Sequence, residues 1–167
     1  MPMLARVRDF IFARVKAAAP VAAVLALLVA AGCNTAPPMA PVTLSDAGWT
    51  VWNGQAIWRP VRSMPELTGD LTLAVNTNGA AFVQFSKTIP FAIARLEGKY
   101  WSIEFPPDHR KYSGHRPLPH HFAMLQLPAV ARTNAVSRPW TESGGMDDWQ
   151  IDNPRTGETL HGFLAPQ

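Results

Sequence analysis

The chain has 167 residues, with 15 Lys and Arg against 12 Asp and Glu and a formal charge of +3 at pH 7. Arg6, Arg8, Arg14, Lys16 and Asp9 all lie in the first 16 positions, and the rest of the chain carries equal numbers of each sign. The basic balance therefore belongs to the N-terminus, which removes the charge argument for nucleic acid as a partner. The single cysteine, Cys33, excludes an internal disulfide.

In chain order, the basic segment comes first and leads into an uninterrupted apolar run of Ala, Val and Leu from Val21 to Ala31, with Pro20 at its head. A membrane-spanning helix needs about 20 apolar residues. This run is shorter, and the order of basic segment, apolar core and small residues is that of a secretory signal. The run closes on Leu27-Leu28-Val29-Ala30-Ala31-Gly32-Cys33, which resembles the signal of bacterial lipoproteins. The resemblance implies that residues 1–32 are removed, that the Cys33 sulfur carries a diacylglyceryl group, and that the protein is held at a membrane of the cell envelope by that anchor. Asn34 stands where aspartate is associated with inner-membrane retention, and this leans the localisation toward the outer membrane, facing the periplasm.

Residues 33–46 read as a tether, because Asn34 to Ser45 carries no charge and three prolines, which favour an extended, solvated backbone. Residues 47–167 are then one domain, enough chain for a single core. Its dominant signal is period two. In Glu66 to Asn76, Leu67, Gly69, Leu71, Leu73 and Val75 alternate with polar residues, as in a half-buried strand. Trp52, Gly54, Ala56 and Trp58 share one face before it, opposite Asn53, Gln55 and Arg59. Asn76-Thr77-Asn78-Gly79 supplies a turn, and Ala81, Val83 and Phe85 begin a new strand. Two further hairpins follow: Ile89–Leu96 with Tyr100–Phe105, where Trp101, Ile103 and Phe105 share a face, and Trp149–Asp152 with Thr159–Leu164. Between them Pro117 and Pro119 precede His120 to Leu127, which lacks alternation and predicts a short helix ending or bending near Pro128. The fold class is mainly β: sequential hairpins imply an antiparallel, strongly curved sheet with one or two short helices.

The segments Glu66-Leu67-Thr68-Gly69-Asp70-Leu71 and Gln84-Phe85-Ser86-Lys87-Thr88-Ile89-Pro90-Phe91, the Gly98-Lys99-Tyr100-Trp101 hairpin and the late Trp-containing strands resemble the Lol lipoprotein carrier and outer-membrane receptor group. That resemblance implies an antiparallel open half-barrel whose apolar cavity takes acyl chains or lipoproteins, in lipoprotein transport or membrane insertion. The cavity residues expected on this reading are Phe85, Phe91, Ile93, Trp101 and Ile103. The alternative is a structural or assembly lipoprotein with a solid core, since Trp49, Trp52, Trp58, Trp101, Trp140 and Trp149 serve a packed interior equally well.

Other chemistry is poorly supported. His109, His115, His120 and His121 fall in a Pro-rich basic stretch without the fixed spacing of a ligand set, so a polar loop is expected there and no metal site. Glu104, Asp108 and His109 make an acid–base group only on paper. Asp147, Asp148 and Asp152 miss the calcium-loop spacing, and turn formation around Gly144-Gly145 accounts for them. No nucleophile elbow, phosphate loop or zinc-protease motif is present. The expectation is a binding protein, not an enzyme, with no cofactor.

Overall fold

In the computed structural model the described residues are 39–132, 141–145 and 148–167, all within one unit, Ala36–Gln167. The signal segment, Cys33, the first part of the tether, Trp140 and Asp147 lie outside the described residues.

Among the described residues nine strands form one antiparallel sheet: β1 Trp49–Arg59, β2 Leu67–Asn76, β3 Ala81–Ser86, β4 Pro90–Glu97, β5 Tyr100–Phe105, β6 Arg110–His115, β7 Thr141–Gly145, β8 Asp148–Asn153 and β9 Glu158–Pro166. Pro106–Asp108 is a 3-10 turn, and α1 is Ala123–Ala131. The order is β6-β5-β4-β3-β2-β1-β9-β8-β7. The first six strands meander outward from β1, and the last three return so that β9 pairs with β1 on its other side. Strands β6 and β7 do not pair, so the sheet is an open one and not a closed barrel.

Its curvature follows from one contact pattern. Helix α1 touches β2, β3 and β4 on one side and β8 and β9 on the other. Six strands at about 4.8 Å spacing would span about 24 Å if flat, more than twice the helix diameter of about 10 Å. The sheet must wrap around the helix to make both sets of contacts. Where β1 and β9 meet, Gly54 and Gly162 allow the close approach, since an added Cβ would fall 1.9 Å from the Phe163 carbonyl oxygen or 2.1 Å from that of Gln55.

The concave face carries the core. Leu71, Leu73, Val83, Phe85, Ile103, Leu160 and Leu164 alternate inward from their strands and meet Met124, Leu125 and Leu127 of the helix. The helix is buried on nearly every side, which is the expected setting of a helix with no polar face. It begins three residues later than predicted and runs through Pro128, whose missing N–H leaves the Met124 carbonyl without its ordinary intrahelical donor. Burial on several sides holds it past that point.

Two segments read as loop or turn are edge strands instead. Arg110–His115, in the histidine-rich stretch, pairs with β5, and Thr141–Gly145 pairs with β8 around Gly144-Gly145. Edge strands are solvated on one side and need no apolar alternation, so the pattern that located the inner strands was absent from both. At the described end of the 33–46 segment, the Ala40 carbonyl accepts from Arg95 at 3.4 Å, and Met39 Sδ accepts from the Ser102 hydroxyl at 3.5 Å. Arg95 and Ser102 share the outer-face row with Ala74 and Phe82.

Candidate functional site

The inner face is not a tunnel. Phe85 and Ile103 are 1 % and 0 % exposed and belong to the packed core, with Trp101 half-buried against it. A polar cleft of about 350 Å³ lies where residues 39–43 meet Asn76, Asn78 and Arg95, and an aromatic space opens at the end of the sheet where β1, β2, β4, β5, β6 and β9 come together beside the start of α1. There a pocket of about 300 Å³ is lined by Trp58, Leu67, Phe91, Phe105, Tyr112 and Phe122, with Val61 and Met64 exposed at its rim.

Local geometry explains why these rings converge. The pairing of β3 with β4 shifts between Phe85–Ala92 and Ser86–Pro90, so Phe91 is the bulged residue without a strand partner. The bulge turns its ring inward, edge-on to Trp58 at 6.0 Å and to Phe85 at 6.5 Å. Trp58 also lies parallel to Phe105 at 6.2 Å, and Phe122 closes on Phe105 at 6.0 Å and on Tyr112 at 5.5 Å.

Ile93 departs from expectation. It pairs with Gln84 and Glu104 on the outer face, whereas Ala92, Ala94 and Leu96 point into the core. Side-chain size misled here. The larger residues of this strand seemed to mark its inner face, but the helix side of the sheet has room only for alanine at two positions. Arg95 and Glu97, which share the Ile93 face, were the available signal. Of the five expected cavity residues, Phe91 alone lines this pocket.

One polar group lies in the pocket wall. Glu158 is 3 % exposed, and its Oε1 accepts from Trp58 Nε1 at 3.0 Å and from the backbone N–H of Ala123 at 2.9 Å. The second bond caps α1, because Phe122 at the N-cap position has no side-chain oxygen to do so. Burial pushes the carboxyl up to about 7 from its ordinary 4.5, against the opposing pull of the Ala123 and Trp58 donors. Sequence reasoning missed this residue. Glu158 opens β9 and pairs with Asn153, and nothing in the local pattern distinguishes it from an exposed turn carboxylate.

The remaining candidates do not assemble. His109 occupies the left-handed region at φ 52° after the 3-10 turn, and His115 packs on Tyr100 at 4.8 Å. The His120 carbonyl accepts from Asn153 Nδ2, and His121 packs on Phe122 at 4.8 Å. Glu104 pairs with Lys111 across the strands, while Asp108 sits at the pocket wall. Asp152 Oδ2 accepts from Gln150, a bond within β8. Among the described residues no three His, Cys, Asp or Glu gather at metal-binding spacing, and no helix is long and apolar enough to cross a membrane. The arrangement is suited to holding an apolar group beside one carboxyl. No protein-family model matches the chain, and no curated protein matches it either.

Proposed function

We propose that this protein is a lipid-anchored envelope protein that binds the apolar part of an amphipathic ligand, an acyl chain or the lipidated end of a lipoprotein. The observation that carries this reading is the aromatic pocket beside Glu158, with exposed Val61 and Met64 at its mouth. A volume of about 300 Å³ is at the low end for ligand sites, so the pocket takes one end of a chain and leaves the rest outside. The anchor at Cys33 supports the same reading by keeping the pocket near lipid, and the reading assigns the protein a binding role without chemistry of its own.

The test is photolabelling of the full-length protein in lipid nanodiscs with a neutral alkyl diazirine, the crosslinked positions being read by peptide mass spectrometry. Labels should map to the peptides of Met64, Tyr112 and Phe122. Val61→Trp, at an exposed rim position, should abolish them without lowering the melting temperature. Labelling confined to surface positions would favour the structural alternative, for which the filled concave core is the specific support.

A further inference from the structure

Glu158 has two carboxyl oxygens and the fold uses one of them. Both hydrogen bonds, from Trp58 and from the Ala123 backbone, end on Oε1. Among the described residues both hydrogen bonds to the carboxyl thus fall on Oε1, and Glu158, 3 % exposed, forms part of the pocket wall. Oε2 is therefore the oxygen left for a group that enters the pocket.

The surroundings restrict what that donor can be. Trp58 Nε1 is already committed to Oε1, and the other deep walls are Leu67, Phe91, Phe105 and Phe122, none of which has a donor. An anionic head would be repelled by the ionised carboxyl and could pair only with the protonated one. A cation would pair with the ionised form, and aromatic rings attract cations through their negative faces. The charged and titratable groups elsewhere around the pocket are Asp108, Arg110, Tyr112 and His121. Asp108 and Arg110 are both exposed and opposite in sign, so they do not set the field inside.

We infer that the pocket takes a primary alkylammonium group head first, its N–H against Glu158 Oε2 and its alkyl chain leaving past Val61 and Met64. This rests on the apolar-binding reading above and adds the chemistry of the inserted end. Such a ligand prefers the ionised carboxyl, so it drives a proton off Glu158 and binds more tightly as pH rises from 6 to 8. A fatty acid carboxylate requires the opposite protonation state and shows the opposite slope. Histidine is the other side-chain type that changes charge near neutrality, and protonated His121 would repel an ammonium with the same sign of slope, so His121→Gln is the companion variant.

The experiment is competition against the pocket photolabel by decylamine, decanol and decanoic acid, each read as the ratio between Glu158→Gln and wild type. Partition into the bilayer is common to both proteins and cancels in that ratio. For decylamine the half-inhibitory concentration should rise about ten- to hundredfold in Glu158→Gln, the loss expected for a charge-assisted hydrogen bond. Decanol should change far less, and decanoic acid should compete better in the variant. The wild-type pH slope for decylamine should persist in His121→Gln. Pocket labelling displaced equally by all three, or best by decanoic acid, overturns the ammonium assignment and leaves the apolar pocket standing. Absence of pocket labelling overturns both.

Discussion

Trp58 Nε1 donates to Glu158 Oε1 at 3.0 Å, joining two residues 100 positions apart in the sequence. The same oxygen accepts the first free N–H of α1, so this single carboxyl ties β1, β9 and the helix start together at the edge of the pocket. Trp58→Phe keeps the stack on Phe105 and removes one donor. It should cost about 1–3 kcal/mol, the penalty for a lost bond to a buried group. A double-mutant cycle with Glu158→Leu, which removes the acceptor, measured by urea unfolding, should show coupling, because the two side chains share one bond.

The pH dependence of stability follows from the same group. The folded protein holds the Glu158 proton to about pH 7, whereas the unfolded chain releases it near the ordinary value. Between those two values the folded state binds more protons, so the contribution is fully present below about pH 4.5, declines as pH rises through 7 and is level above. The displacement is worth about 3 kcal/mol. Glu158→Gln retains an oxygen acceptor for both donors, and should flatten this part of the profile and exceed wild type in stability at pH 8. A wild-type minus variant difference that stays constant from pH 4.5 to 8 would refute the assignment.

Strand register is tested on β2. Leu73 is 0 % exposed and faces the helix, while Thr72 lies on the outer face with its hydroxyl donating to Asn53 Oδ1 at 2.9 Å. Leu73→Asp should prevent folding, since it buries an unpaired charge. Thr72→Asp should cost no more than about 1 kcal/mol, because the Asn53 amide can turn to donate to the new carboxylate. Circular dichroism melts of the two variants separate these outcomes.

The inner and outer faces of the neighbouring strands make a second contrast. Phe85 packs edge-on against Trp58 at 5.9 Å and is buried, so Phe85→Ala should cost about 3–5 kcal/mol. Ile93 is half-buried on the outer face. Ile93→Trp should fold with little loss and leave pocket labelling unchanged, and a large effect on labelling would place Ile93 back inside.

Anchoring is tested at Cys33. Burial of acyl methylenes is worth about 0.8 kcal/mol each, and two or more chains give stable attachment. Cys33→Ser should therefore leave unprocessed or mislocalised protein, detected by fractionation, and intact-mass measurement of the wild type should show the lipid at the mature N-terminus.

Alternation by itself determined the inner strands. Wherever one strand face packs and the other is wet, as in Leu71, Leu73 and Val75 against Asp70, Thr72 and Asn76, the period is written in local sequence and needs no partner to be read. The antiparallel class followed from the turns between these strands, and the helix after Pro119 from the break in alternation. Only the tertiary structure decided that β9 pairs with β1, that Arg110–His115 is an edge strand, and that Ala92 and Ala94 rather than Ile93 face the helix. Those outcomes depend on which surfaces meet. The pocket belongs to the second group: Phe91 enters it through a bulge, and Glu158 acquires its buried setting from Trp58 and Ala123, 100 and 35 residues away. A carboxyl's environment is set by the elements that fold over it, and no pattern in the residues beside it carries that information.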